Sequence, residues 1–198
     1  HGVLDTLRAV LNRIPSDADL GGTGTLIERR AELLFWERDP DNLLSLLQNA
    51  RVAHFDTRFV FLHAALNTAW AHQLRGDRPA ARAAFESSRL LLDSVMKQLP
   101  DDWRVHASRG LTLAGLGRRD ETLREAHWLQ KSEIYRGDSF DGAFVAEDRA
   151  RILAQVGDSE GALDEIERLL TGPSMVSVHK LRLDPLWDPI REHPRFKG

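Results

Sequence analysis

An apolar run at helical spacing, a Gly-Asp or Gly-Arg turn and a second such run recur three times, roughly forty residues apart. The turns are Gly76-Asp77 in AHQLRGDRPAARAAFESS, Gly117-Arg118 in TLAGLGRRDETLREAHWL and Gly157-Asp158 in ILAQVGDSEGALDEIERL. A weaker fourth copy turns at Asp39-Pro40 in LLFWERDPDNLLSLLQNA. Two short helices cannot bury their apolar faces alone, so the recurrence predicts an all-α solenoid in which each pair packs on its neighbours. It also predicts a docking surface rather than a catalytic pocket.

The spacing of apolar residues supplies the elements. Val3, Leu4, Leu7, Val10, Leu11 and Ile14 lie three or four apart and predict an amphipathic helix ended by Pro15. This leading helix, within 1–15, reads as the second half of a pair, and with His1-Gly2 at the front and no initiator Met the chain is expected to be a piece of something longer. After a Gly-rich connection over 16–24, four pairs are expected over 25–52, 58–98, 102–133 and 143–171. The second pair is expected to start its first helix at 58, leaving HFDTRF as a loop. Gly172-Pro173-Ser174 stops the last pair, with Ser174 expected to cap a short helix over 174–182. Pro185, Pro189 and Pro194 prevent a long helix after that. No alternation lasts long enough to predict a sheet.

Composition narrows the function. The chain of 198 residues is 42% hydrophobic and 29% charged, as in ordinary globular proteins. Its 27 basic and 30 acidic residues are interspersed, which gives no basic footprint for nucleic acid and no polybasic membrane anchor. Without Cys there is no disulfide, thiolate metal site or Cys nucleophile. No stretch approaches the roughly 18 apolar residues needed to cross a bilayer.

In register, the repeats resemble the tetratricopeptide repeat family. That pattern has a small residue eight positions into the first helix, a Gly-like turn at fifteen, Ala at twenty and a bulky residue at twenty-four. Ala69, Gly76, Ala81 and Phe85 match it, as do Ala150, Gly157, Ala162 and Ile166; Gly110 and Gly117 match, while Thr122 and Ala126 depart. The resemblance implies a right-handed α-α superhelix of about four pairs, with a leading helix and a C-terminal cap over 174–198. Leu183-Asp184-Pro185, Trp187-Asp188-Pro189 and His193-Pro194-Arg195-Phe196 resemble the ends of such arrays in bacterial multidomain regulators, where they follow kinase, winged-helix or cyclase-type domains. Trp187, Ile190 and Phe196 are expected to cover the open apolar end of the array.

The family's ligand groove is lined by the first helix of each pair. Carried over by position, the groove candidates are Arg29, Arg30, Leu33 and Trp36; His63, Leu66, Asn67, Trp70 and Gln73; Arg104, Ala107, Ser108 and Leu111; and Phe144, Glu147, Asp148 and Arg151. Their mixture of aromatic, Arg and Asn side chains suits peptide recognition, although Trp36 and Trp70 also fit helix packing. Arg29, Asn67 and Arg104 match part of the family's clamp for a C-terminal carboxylate, but Leu33 and Ser108 stand where it needs Asn and a basic residue. The clamp is not expected.

Catalytic signatures are sparse. The eight His residues form no metal-ligand spacing, and Glu125 and His127 fall on different faces of a helix. His54 and Asp56 read as surface residues of the HFDTRF loop. Gly21-Gly22-Thr23-Gly24 lacks the strand and Lys of a phosphate loop. Asp138, Ser139 and Asp141 suit Ca²⁺ or, more simply, a helix cap. The expected function is therefore a non-catalytic scaffold without cofactor or metal, binding a protein or peptide, with a neighbouring domain of the same protein as one candidate partner. The alternatives are a helical enzyme or small-ligand protein using the scattered His residues, and a module that self-associates as a homodimer through its leading helix. A cytoplasmic location is the first expectation, and the extracytoplasmic part of a membrane-anchored regulator the second.

Overall fold

The computed structural model describes residues 2–15, 24–50, 53–137 and 140–197. Among these lie twelve α-helices, one 3₁₀ helix and a two-stranded hairpin. The helices are α1 (Gly2–Arg13), α2 (Thr25–Trp36), α3 (Pro40–Asn49), α4 (Ala64–Arg75), α5 (Arg78–Met96), α6 (Trp103–Gly115), α7 (Arg119–Lys131), α8 (Glu133–Gly137), α9 (Asp141–Val156), α10 (Ser159–Thr171), α11 (Val178–Leu183) and α12 (Pro194–Lys197). The 3₁₀ helix spans Pro185–Ile190. Two compact bodies, His1–Ala84 and Phe85–Gly198, meet in sequence inside α5. The glycines of 21–23, together with Asp138 and Ser139, lie outside the described residues.

One backbone device organises the four helix pairs. Gly76, Gly117 and Gly157 have φ of 80°, 73° and 83°, and Arg38 has φ of 56°. Each donates its N–H to the carbonyl three residues back, and the next residue donates to the carbonyl five back: Asp39 to Leu34 at 3.0 Å, Asp77 to His72 at 2.9 Å, Arg118 to Leu113 at 3.0 Å and Asp158 to Leu153 at 2.9 Å. This left-handed cap satisfies carbonyls that a helix end would otherwise orphan. The following residue then starts the second helix. Carboxylates of Asp39, Asp77 and Asp158 accept from the N–H groups of Asn42, Ala80 and Gly161, whereas Arg118 offers no such cap. Gly-Asp thus ends one helix and begins the next.

Counting from these turns brings all four pairs into one register. Seven residues before each lies a small buried residue, Ala31, Ala69, Gly110 or Ala150. Nine residues after each lies Leu47, Phe85, Ala126 or Ile166, all buried. The first pair therefore turns at Arg38, one residue before the expected Asp39-Pro40. The positions that the resemblance implies for a groove, counted from this turn, become Glu28, Arg29, Glu32 and Phe35 in place of Arg29, Arg30, Leu33 and Trp36. An Arg in the place of Gly concealed that register.

In the first body, α2 packs on α1, α3 and α4, and the ring of Phe35 stacks on Trp70 at 5.5 Å. The segment expected to begin a helix at 58 instead forms a hairpin, and α4 starts at Ala64. Strand β1 (His54–Asp56) pairs antiparallel with β2 (Phe61–His63), closed by Thr57 N–H on Val60 O at 2.9 Å. Phe55, Phe61 and His63 are buried from it. The fold is mostly helical rather than all-α, because three-residue strands are too short for alternation to reveal.

In the second body, α9 packs on α6, α7, α8, α10 and the 3₁₀ helix. A Cβ at Gly110 would stand 2.5 Å from Ile152 Cδ1 and 3.3 Å from Glu125 Cβ, so α6, α7 and α9 converge where the smallest residue sits. The C-terminal part of α5 also packs on α6: the Phe85 ring occupies the space beside Gly115, and Ser88 Oγ lies 3.0 Å from Thr112 Oγ1. Ser174 does not cap α11; it donates to Leu169 O at 2.6 Å and closes α10, while Ser177 caps α11. Trp187 and Ile190 are buried, Gln155 donates to Leu186 O at 2.6 Å, and Arg195 reaches Glu160, Asp164 and Glu167 on α10. The Pro-rich tail thus covers α9 and α10.

Candidate functional site

The first-helix candidates are mostly consumed inside the molecule. Arg30 donates to Leu11 O and Ile14 O at 3.3 Å and 2.8 Å, tying α2 to α1. Arg29, exposed, pairs with Glu32 and Glu28, and Trp36 is half-buried. His63, Asn67 and Trp70 are buried, the last at 8% exposure, and only Gln73 of that set is exposed. His63 Nδ1 faces Ala53 O at 3.4 Å; burial, with His54 beside it, holds the imidazole below its ordinary pKa. Among the described residues, His63 Nε2 and Asn67 Nδ2 have no hydrogen-bond partner.

The third and fourth pairs repeat this behaviour with ion pairs. Arg104 wraps back on the α6 cap, its Nε and Nη2 donating to Asp102 at 3.0 Å and 2.6 Å. Burial would raise the Asp102 pKa, but these bonds outweigh it and hold the carboxyl low. Ser108 is buried. Phe144 meets Phe140 edge-on at 5.5 Å. Glu147, 3% exposed, lies between Arg151 Nη2 at 2.7 Å and Lys180 Nζ at 2.6 Å, and Arg151 also reaches Asp148 at 3.1 Å and Asp184 at 3.0 Å. Burial opposes ionisation of Glu147, and its two cations overcome this and lower its pKa. Asp148 is pushed up to about 6 by burial, against Arg151 and with Glu147. Lys180 and Asp184 belong to the tail, so in the fourth pair the expected groove residues anchor the cap. The reason is energetic: a carboxylate this buried needs its cations within the fold.

A second constellation repeats in register and escaped the sequence reading. Arg109 and Arg149 each stand one residue before the small crossing residue, and each bonds a Glu on the second helix, Glu125 or Glu165. Glu125 extends the contact in both directions. Arg109 donates to Asp93 Oδ1 at 3.0 Å, and Asp93 accepts from Arg89 at 2.6 Å. On the other side Glu125 Oε2 lies 2.6 Å from His106 Nδ1, whose Nε2 is 2.8 Å from Pro100 O. The His106 ring stacks on Trp128 with centroids 3.5 Å apart and planes 11° from parallel. Glu165 accepts from Tyr135 Oη at 2.5 Å and Arg168 Nη2 at 2.8 Å, and burial with Glu165 raises the Tyr135 pKa.

Trp128, so positioned, borders an open cleft of ≈ 1090 Å³. Its apolar floor is Trp103, Leu123, Trp128 and Ile134, and charged side chains of α7 and α8 surround it. Along α7, Asp120, Arg124, His127 and Lys131 form one exposed stripe at helical spacing. Their side chains make no ion pair or hydrogen bond among the described residues. Elsewhere in this body Arg89, Arg104, Arg109, Arg149, Arg151 and Arg195 are all paired. Unpaired cations beside a half-buried Trp128 are the ingredients of a recognition face.

No family model, characterised protein or solved structure matches this chain. His54 and Asp56, expected in a loop, lie in β1, and Asp141 is the first residue of α9 rather than its cap, which is Phe140. Among the described residues no group of three His, Cys, Asp or Glu is placed to hold a metal ion. No helix there is long and apolar enough to cross a membrane.

Proposed function

We propose that this chain is a non-catalytic protein-binding array of tetratricopeptide type, its four pairs continuing as a right-handed superhelix. Docking occurs through the cleft of α6, α7 and α8 rather than along the first-helix groove positions. The observation that carries this reading is the cleft's combination of a Trp-lined floor with exposed charges left unpaired on α7. Such charges lose no internal partner when they engage another protein, whereas Glu147, Arg151 and Arg104 would have to break existing pairs. The network from Arg89 to His106 holds Trp128 in place before binding, which lowers the ordering cost. A regulatory role as the interaction part of a larger protein follows from the same reading.

An arrayed peptide library screened against the purified chain tests it. Bound peptides are expected to shift amide resonances of α6–α8, and Leu123→Asp or Lys131→Glu should weaken them about tenfold with unchanged circular dichroism, the scale of one lost interface contact. Undiminished binding in both variants would place the site elsewhere. A library without any binder, together with no other partner engaging α6–α8, would remove the docking reading.

A further inference from the structure

The charge order along α7 is self-complementary, and from it we infer that the partner at this cleft is a second copy of the chain, docked with the two α7 helices antiparallel. The inference rests on the docking role proposed for the cleft.

The stripe begins with Asp120 in the first turn of α7 and ends with Lys131 in its last. Asp101, just before α6, extends the acidic end, and Arg136 on α8 lies beyond the basic end, where Glu133 of α8 also borders the cleft. Two copies laid parallel would set Asp120 on Asp120 and Lys131 on Lys131, which is repulsive at both ends. Laid antiparallel about a two-fold axis at the middle of α7, Asp120 of each copy faces Lys131 of the other. The same register places Arg124 level with His127, with Leu123 of both copies along one flank of the seam and Trp128 of both along the other. Every contact then occurs twice, as an isologous interface requires. Antiparallel α7 helices also oppose their dipoles favourably. The flanking Leu123 and Trp128 side chains supply apolar burial on either side of the seam, and the outer Asp120–Lys131 pairs set register and exclude the parallel arrangement.

A helix of 13 residues is only about 20 Å long, so the interface is small and the dimer is expected to be weak, forming in the micromolar range. Sedimentation velocity on the whole chain over a range of micromolar concentrations tests the inference. The wild type should shift from monomer to dimer with concentration. Asp120→Lys and Lys131→Asp should each raise the dissociation constant about tenfold or more, and the double swap D120K/K131D should return it to within about threefold of wild type. Both residues are exposed without internal partners, and circular dichroism verifies that each variant is folded. Because the chain lacks Cys, a second measurement is direct: a mixture of the single variants Arg124→Cys and His127→Cys should cross-link into a mixed dimer under mild oxidation, and Lys97→Cys mixed with either should not. Failure of the double swap to restore association overturns the antiparallel register. A wild type that stays monomeric, while library peptides still lose affinity in Leu123→Asp and Lys131→Glu, overturns the second copy as partner and leaves the docking reading standing. If no peptide binds either, both fail.

Discussion

Arg38 closes the first helix pair with the same two backbone hydrogen bonds that Gly76, Gly117 and Gly157 use to close the other three, at φ 56° against 80°, 73° and 83°. Glycine reaches this region without steric cost, whereas Arg carries a Cβ that crowds its own carbonyl. What recurs is therefore the backbone geometry of a left-handed cap, imposed by the packing of two helices on either side, and not the residue that performs it. The crossing position seven residues earlier teaches the same lesson. There the third pair has Gly and the other three have Ala, each buried where helices approach closely. Exchanging residues between equivalent positions shows how far the copies are interchangeable.

The largest expected effect comes at that crossing. Gly110→Val adds three carbons where the first alone meets Ile152 Cδ1 at 2.5 Å and Glu125 Cβ at 3.3 Å. Ile152 can turn its terminal carbon aside, but a branched side chain must also displace α7. Overpacking of this kind should cost about 3 kcal/mol, read as a lower urea midpoint with an unchanged slope. A midpoint within error of wild type would show that α6 and α9 do not cross as closely at Gly110 as described.

Much of this arrangement is readable from residues alone because it depends on local chemistry. Three Gly turns, helical spacing around them and Pro stops in the tail locate eight helices closely, since each signal acts within a few residues. The hairpin over 54–63 escapes because its strands hold three residues each and its second strand runs directly into α4. The site was less legible. First-helix positions were expected to face a ligand, yet Lys180 and Asp184, over thirty residues beyond Glu147 and Arg151, decide that these charges face inward. The cleft needs α6, α7 and α8 together, and α8 carries no periodic signal within five residues. The Arg109–Glu125 and Arg149–Glu165 pairs had a visible cue, the same two residue types at the same distance from each turn glycine.

A middle-sized effect separates the third and fourth pairs. Ser108 and Asp148 occupy equivalent positions, nine residues before their glycines, and only Asp148 can titrate. Its pKa in the fold is pushed up to about 6, from an ordinary 3.8, because burial and Glu147 together disfavour the charge more than Arg151 supports it. A group whose pKa rises on folding binds its proton more tightly in the native state. Its contribution to stability is complete below pH 3.8 and is lost as pH rises through 6. Between pH 7 and 5 it should stabilise the fold by about 1 kcal/mol, the single-site linkage for that shift. Asp148→Ser, which makes the fourth pair like the third, should remove this component from the pH dependence of the melting temperature. An unchanged profile would assign the dependence to other groups.

The smallest effect tests the turn itself. Arg38→Gly makes the first pair like the others and releases a left-handed Arg, a gain of about 1 to 2 kcal/mol in the native state. Glycine also widens the unfolded ensemble, which returns roughly half to one kcal/mol. The net expectation is stabilisation of about 0.5 kcal/mol. The reverse exchange, Gly76→Ala, should cost about 1 kcal/mol through backbone strain alone, because a Cβ there would meet nothing within 4 Å. Opposite signs in the two urea midpoints would show that both positions bear the same conformational demand. Should Arg38→Gly destabilise instead, contacts of the Arg38 side chain would outweigh its backbone strain, and the first turn would be held by its side chain where the others are held by glycine.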